Sequence, residues 1–158
     1  MSRELITDWG TYQASFDQLL GLAKHQLFIY DEDLAQLRLD QPSRLKQLKR
    51  LLSNLQPDSI RIALRNTEPL RRQQSHLIQF LSPHSHIITI QETSPQPGNL
   101  RDAMVLVDNQ HGLIRFDREQ VRSKLLLDET NDIRPHLLRF EEIWKEPGNV
   151  LSATTLGL

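Results

Sequence analysis

The chain has 158 residues, a formal net charge of −1 from 19 basic and 20 acidic residues, and no cysteine. This length fits one domain with a core of its own. The missing cysteines exclude disulfides, thiolate metal sites and a cysteine nucleophile. The balanced charge excludes a general attraction of the whole chain to nucleic acid, although a local basic patch remains compatible with it.

The sequence has no signal-peptide pattern at its start and no apolar run of transmembrane length. We therefore expect a cytoplasmic protein that does not enter a membrane. The domain is predicted over residues 1–147. Residues 148–158 are small and polar, and they are predicted to form a flexible tail.

In the first part of the chain, hydrophobic periodicity predicts helices that alternate with strands. Apolar residues at steps of three and four indicate helices, and short apolar runs indicate buried strands. The predicted elements are a helix over 8–24, a strand over 26–31, a helix from residue 41, a strand over 60–65, a helix capped by residue 66 or 67, and a strand over 86–91.

The second part of the chain begins with its most apolar run, Ala103 to Val107, which predicts a central strand. Residues 109–112 predict a hairpin turn into a strand over 113–116. A further strand over 121–127 and a last helix over 131–145 follow. The order predicts an α/β fold with a mixed, mainly parallel β-sheet and helices on both faces.

The element order resembles one half of a phospholipase D-type domain, and so does the segment RDAMVLVD at residues 101–108. That superfamily carries a His-x-Lys-x-x-x-x-Asp motif on a central strand that leads into a hairpin. The segments LAKHQLFIYDEDL, LKRLLSNLQPDSIRIALRN and FEEIW are similar to a group of bacterial phospholipase D-like domains of unassigned function, which occur alone or fused to acetyltransferase-like modules. The resemblance covers about residues 10–146.

Two of the three motif positions differ from the family pattern. Asp108 stands at the family aspartate, but Arg101 stands at the nucleophilic histidine and Ala103 at the lysine. An arginine is always protonated and cannot attack phosphorus, and a methyl group cannot hold phosphoryl oxygens. We therefore assign no catalytic residue and no cofactor, and treat Asp108 as a remnant of the motif. His111 is interpreted as a solvated turn residue.

Histidines and acids offer weaker candidates. His84 and His86 form an H-x-H pair of the kind that binds metals, but a loop is favoured there, and we assign no metal site. Asp31, Glu32 and Asp33 follow the first strand, at the end where α/β sheets bind ligands, and Asp31 and Asp33 are taken as candidate acidic cleft residues. The favoured alternative is a solvated loop in which Asp33 caps a short helix.

Arginines form the most informative group. Guanidinium groups bind phosphate in bidentate fashion, so the arginines near the predicted strand ends are candidate anion-binding residues. Arg122 also follows the hairpin, and Tyr30 and Phe116 are the candidates for base stacking. In the alternative, the arginines pair with Asp102, Asp108, Asp117 and Glu119 and stabilise loops. The candidates for anion binding are Arg65, Arg101, Arg115 and Arg118.

Three functions remain open from the sequence. The first is a non-catalytic binding or regulatory module with a phosphate-binding type of cleft. The second is a phosphodiesterase- or nuclease-like enzyme, or a nucleic-acid binder, that uses an Arg/Asp-lined cleft. The third is a purely structural interaction domain. Because active halves of the superfamily pair about a two-fold axis, the resemblance implies a homodimer or a protein partner.

Overall fold

A computed structural model describes residues 2–53, 57, 59–73, 75–93, 101–117, 119–146 and 149–151. A short 3-10 turn, Ser82–His84, follows the fourth helix. No helix among these residues is both long and apolar enough to cross a bilayer. The elements are β1 Ser2–Ile6, α1 Trp9–Leu22, β2 Leu27–Asp31, α2 Pro42–Leu52, β3 Ile60–Leu64, α3 Glu68–Gln73, α4 Ser75–Leu81, β4 Ile88–Glu92, β5 Ala103–Val107, β6 His111–Arg115, β7 Ser123–Leu127, α5 Thr130–Lys145 and β8 Asn149–Leu151.

The strands form one sheet in the order β1-β7-β6-β5-β2-β3-β4-β8. Only β2–β3 and β3–β4 are parallel, and the other five pairings of the described strands are antiparallel. The predicted α/β class and the mixed sheet are confirmed, but the prediction of a mainly parallel sheet is wrong. After β4 the chain returns to the middle of the sheet as β5, which runs against β2. Short connections then link β5, β6 and β7, and such connections join antiparallel strands.

The alternation of side chains along each strand creates two cores. On β2, Leu27 and Ile29 face one side of the sheet, and Phe28 and Tyr30 face the other. The first side, here called the α1 face, is covered by α1, α2, α3 and α4. The second side, called the α5 face, is covered by α5 through Ile133, Phe140 and Ile143. Helices on both faces of the sheet are therefore confirmed.

The hairpin after β5 turns earlier than predicted. Asp108 and Asn109 have φ of 54° and 60°, and the Gln110 N–H donates to the Val107 carbonyl oxygen at 3.0 Å. Short polar side chains tolerate this left-handed conformation, so the turn needs no glycine. His111 is consequently the first residue of β6. It is buried, and its Nδ1 accepts from the Asp128 N–H at 3.0 Å. The interpretation of His111 as a solvated turn residue is wrong.

Two edge strands were not predicted from the sequence. β1 pairs with β7 along five residues, although four of its side chains are exposed. β8 lies within the predicted tail and pairs with β4, while residues 152–158 fall outside the described part of the chain. Each strand is held mainly by backbone hydrogen bonds to its neighbour in the sheet. Such a strand needs no hydrophobic run, and periodicity therefore did not reveal it.

Gly112 allows α5 to approach the sheet, and its replacement tests this packing. A Cβ atom at residue 112 would lie 2.6 Å from Ile133 Cδ1 and 3.3 Å from the Val105 carbonyl oxygen. We expect Gly112→Val to lower the free energy of unfolding by about 1–3 kcal/mol, as overpacked cores do. Urea denaturation followed by circular dichroism measures it.

The control is Gly21→Ala on α1, because nothing lies within 4 Å of a Cβ atom there. This variant should raise the free energy of unfolding by about 0.5–1 kcal/mol, since alanine has a higher helix propensity than glycine. A Gly112→Val protein as stable as the wild type would contradict the packing argument.

Candidate functional site

Several charged residues meet at one edge of the sheet. β2, β3 and β6 end there, and the antiparallel strands β5 and β7 begin there. We call it the carboxyl edge, defined by residues 31–33, 65, 101–103, 115–117 and 122. Ligand sites of α/β sheets commonly lie at such edges, which makes this one the candidate site.

The centre of the carboxyl edge is a buried ion pair on the α1 face. Arg115 Nη2 donates to Asp31 Oδ1 at 2.8 Å, and the two side chains are only 1% and 2% exposed. The Arg115 guanidinium also lies 5.4 Å from the ring centroids of both Trp9 and Tyr12. Helix α1 therefore closes directly over the pair and holds it away from solvent.

Burial dominates the titration of Asp31. It raises the pKa of the Asp31 carboxyl, although the charge of Arg115 acts in the opposite direction. Burial also raises the pKa of the Tyr12 phenol, which packs beside them. A charge removed from water in this way is tolerated only while its partner is present. The favoured interpretation of residues 31–33 as a solvated loop is therefore wrong for Asp31.

Arg101 stands at the position that the resemblance assigns to the nucleophilic histidine, and acids surround it. Its Nε donates to Asp117 Oδ2 at 2.7 Å, and its Nη2 lies 3.0 Å from Glu119 Oε2. The hydrogen bond that Arg101 donates to Asp117, and the charge of that carboxylate, raise the pKa of Arg101. Ala103, at the lysine position, is buried on β5 opposite Arg115.

Arg65 lies on the other side of the sheet. Its guanidinium is 4.3 Å from the centroid of the Tyr30 ring, and it lies 3.7 Å from Glu32 and 3.6 Å from Asp102. Asp102 is shared with Arg139 of α5, whose Nη2 donates to Asp102 Oδ1 at 2.8 Å. Arg65 is thus separated from Arg101 and Arg115 by the sheet, and the three arginines do not line a single cleft.

The structure places Arg65 in an ion pair with Asp102 and Arg101 in ion pairs with Asp117 and Glu119, as the alternative describes, whereas Arg115 pairs with Asp31, which that alternative did not include. Arg65, Arg101 and Arg115 each contact at least one carboxylate, and their role in anion binding remains a prediction. Arg118 lies outside the described residues. Asp33 Oδ1 accepts from the Ala35 N–H at 2.9 Å, which stabilises a turn. A pocket of about 320 Å³ on the α1 face is lined by Glu32, Asp33, Ala35, Gln36, Arg115 and Glu119.

His84 and His86 lie far from the carboxyl edge in the fold. His84 ends the 3-10 turn and His86 occupies the following turn, before β4 begins. His84 packs against Phe80, with ring centroids 5.2 Å apart. Within the described residues no group of three or more histidines and acids is placed to hold a metal ion.

Asp108 lies at the opposite end of β5 from Arg101. Its carboxylate accepts from the backbone N–H groups of Lys24, His25 and Gln26 at 2.8, 2.8 and 2.9 Å. These bonds fix the connection between α1 and β2. Asp108 therefore has a structural role, and the fold gives it no access to the carboxyl edge.

A second set of residues near this edge was missed from the sequence. His136 and Arg139 project from α5 on neighbouring turns, and both lie near Asp102. Burial and then the charge of Lys124 lower the pKa of the half-buried His136. Their spacing of three on a helix was the available signal. This spacing did not identify the sheet residues beneath the two side chains, because the identity of those residues depends on where α5 crosses the sheet.

Comparison with models of protein families places the chain in a domain family. A family model described as a domain of unknown function (DUF7931) matches residues 10–151. No curated protein matches the chain.

Solved structures provide the fold comparison. The chain is similar to Nuc from Salmonella typhimurium, a phospholipase D family member, with a TM-score of 0.62, 13% identity and coverage of 96% of this chain and 98% of that one. It is similar to NucT from Helicobacter pylori, with a TM-score of 0.56, 9% identity and coverage of 92% and 96%. At these identities the fold alone is shared, and the predicted phospholipase D-type fold is confirmed.

A third similar structure is TrmBL2, an archaeal chromatin protein whose structure shows a novel mode of DNA binding. The TM-score is 0.68, the identity is 11%, and 94% of this chain is covered. This chain spans 55% of that protein, so the similarity concerns about half of it.

Replacing Asp108 tests its structural role. Asp108→Ala removes three hydrogen bonds to backbone N–H groups. We expect it to lower the free energy of unfolding by about 1–3 kcal/mol more than Asp128→Ala does. Asp128 is a matched control because it also has positive φ, 53°, but its side chain is 66% exposed. Equal losses in urea denaturation would show that the carboxylate of Asp108 contributes nothing beyond its backbone conformation.

The buried ion pair makes a second prediction. Arg115→Met leaves the Asp31 carboxylate buried without its cation and should lower the free energy of unfolding by about 3–5 kcal/mol. The double variant Asp31→Leu/Arg115→Met should lose less free energy of unfolding than Arg115→Met does, since no charge is then buried. As a control, Arg72→Met breaks only an exposed pair with Glu68 and should change stability by about 0.5 kcal/mol or less. A double variant less stable than Arg115→Met would contradict the account.

Proposed function

This chain belongs to the DUF7931 family of domains of unknown function, and on that premise we propose that it is a non-catalytic binding or regulatory module with a phospholipase D-type fold. We also propose that it acts in the bacterial cytoplasm, either as a homodimer or with a protein partner, because active halves of the fold it resembles work in pairs. The absence of cysteine agrees with a reducing compartment.

The observation that supports a non-catalytic role is that Arg101, at the position of the family nucleophile, is paired with acids. Phosphoryl transfer through a covalent intermediate needs a nucleophile and a cationic group that holds the phosphoryl oxygens. Here the position of the nucleophile carries a guanidinium that binds Asp117 and Glu119. The position of the oxygen-holding lysine carries the buried methyl group of Ala103.

The carboxylates also compete with any phosphate for the same arginines. A phosphate that approached Arg115 would have to displace Asp31 from a pair that is almost fully buried. It would also meet Asp33 and Glu119 in the adjoining pocket. Because these acids repel an anion, the α1 face of the carboxyl edge favours neither the binding nor the cleavage of a phosphodiester.

One observation favours phosphodiester cleavage as a second candidate function. His136 is half-buried near Lys124, Arg139 and Asp102, and its lowered pKa favours the neutral imidazole at pH 7. A neutral imidazole is the nucleophilic form, and the two cations could hold phosphoryl oxygens. His136 comes from α5 and not from the central strand, so this chemistry would differ from that of the family motif.

Hydrolysis of bis-p-nitrophenyl phosphate separates the two candidates. We expect the wild type and His136→Gln to release p-nitrophenolate no faster than buffer, with or without Mg²⁺, Mn²⁺ or Zn²⁺. The physical reason is the missing nucleophile at the carboxyl edge. Release by the wild type that is lost in His136→Gln would establish the second function and refute the non-catalytic module.

A further inference from the structure

Phe116 is an exposed aromatic residue at the carboxyl edge, with 47% of its surface open to solvent. Its N–H donates to the Arg122 carbonyl oxygen at 3.2 Å, one residue pair beyond the pairing of Arg115 with Ser123. Side chains of paired residues share a face, and the faces alternate along each strand. Phe116 and Arg122 therefore lie on the α5 face, on the same side as Ile114 and Lys124.

Two cations lie beside Phe116 along β7 and at the residue before it. Arg122 is exposed and Lys124 is half-buried, and neither forms an ion pair within the described part of the chain. His136 lies near Lys124 and Arg139, and burial, followed by the charges of these two cations, lowers its pKa. We define the α5-face patch as Phe116, Arg122, Lys124, His136 and Arg139.

The sheet separates two opposite excesses of charge at the carboxyl edge. On the α1 face, two arginines lie among four acids, which are Asp31, Asp33, Asp117 and Glu119. Among the described residues on the α5 face, four cations lie with three acids. The cations are Arg65, Arg122, Lys124 and Arg139, and the acids are Glu32, Asp102 and, beside His136, Asp132, which pairs with Arg3. An anion is therefore attracted to the α5 face and repelled from the α1 face.

We propose that the α5-face patch binds single-stranded nucleic acid. A single strand offers phosphates to the cations and an unstacked base to the face of Phe116, whereas a duplex keeps its bases stacked. The net charge of −1 for the whole chain makes this attraction local, so binding depends on these few contacts. The inference names a ligand for the proposed binding module and rests on that proposal.

Fluorescence anisotropy with a labelled oligothymidylate of about 12 nucleotides tests the proposal, since this length fits the site size of single-strand binders. The full chain should bind at low salt and lose affinity as salt rises. Arg122→Ala/Lys124→Ala should weaken binding at least about tenfold and lower the salt slope by about two. Phe116→Ala should weaken binding about tenfold through lost stacking.

Lys46→Ala/Lys49→Ala is the charge-matched control. It removes two exposed lysines of α2, which packs on the α1 face, and should leave affinity unchanged. An oligouridylate arm distinguishes RNA from DNA, and binding of either by the patch supports the proposal. Circular dichroism of each variant checks that it is folded.

Three outcomes would overturn the proposal. The first is no saturable binding at low salt, and the second is an equal loss of affinity in the α2 control. The third is that Phe116→Ala leaves the affinity for the oligonucleotide unchanged while inorganic polyphosphate binds as tightly as the oligonucleotide. The last result would show a site for any polyanion. Cleavage of the oligonucleotide on a denaturing gel would refute the non-catalytic module, while binding that depends on the patch would stand. The two proposals can therefore fail separately.

Discussion

A carboxylate at the end of β2 and a guanidinium at the end of β6 neutralise each other across the middle of the sheet. Asp31 and Arg115 are both almost fully buried, and neither charge is tolerable there without the other. Their contact ties the parallel half of the sheet to its antiparallel half, and α1 closes over it through Trp9 and Tyr12. This pair fixes the carboxyl edge on which the remaining charged residues are arranged.

The arrangement supports the proposal that this phospholipase D-type fold retains its architecture without the chemistry of the family motif. Arg101 and Arg115 are engaged by acids of the same chain, so they stabilise the edge from within. The excess of positive charge lies instead on the opposite face of the sheet, where Phe116 is exposed and Arg122 and Lys124 lie beside it at the start of β7. The proposed binding surface on the α5 face and the stabilising ion pairs on the α1 face can therefore lie on opposite sides of the sheet at the carboxyl edge.

Much of this fold follows from hydrophobic periodicity. The run Ala103 to Val107 identified the central strand, and the missing histidine and lysine were visible in the sequence itself. The parallel share of the sheet was overestimated, because periodicity gives the elements but not their order in space. The ion-pair partner of Arg115 also could not be predicted from the sequence, because Asp31 and Arg115 are 84 residues apart and only the folded sheet brings them together. His111 was misplaced because Asp108 and Asn109 already make the turn.

The central claim is that the arginines of the α1 face are occupied by the chain's own carboxylates. Titration of inorganic phosphate, followed by ¹⁵N NMR of the arginine Nε–H groups, tests it most directly. The account predicts that the signals of Arg101 and Arg115 stay in place while that of Arg122 shifts. Saturable shifts of Arg101 and Arg115 would contradict it, because phosphate would then be displacing Asp117 and Asp31.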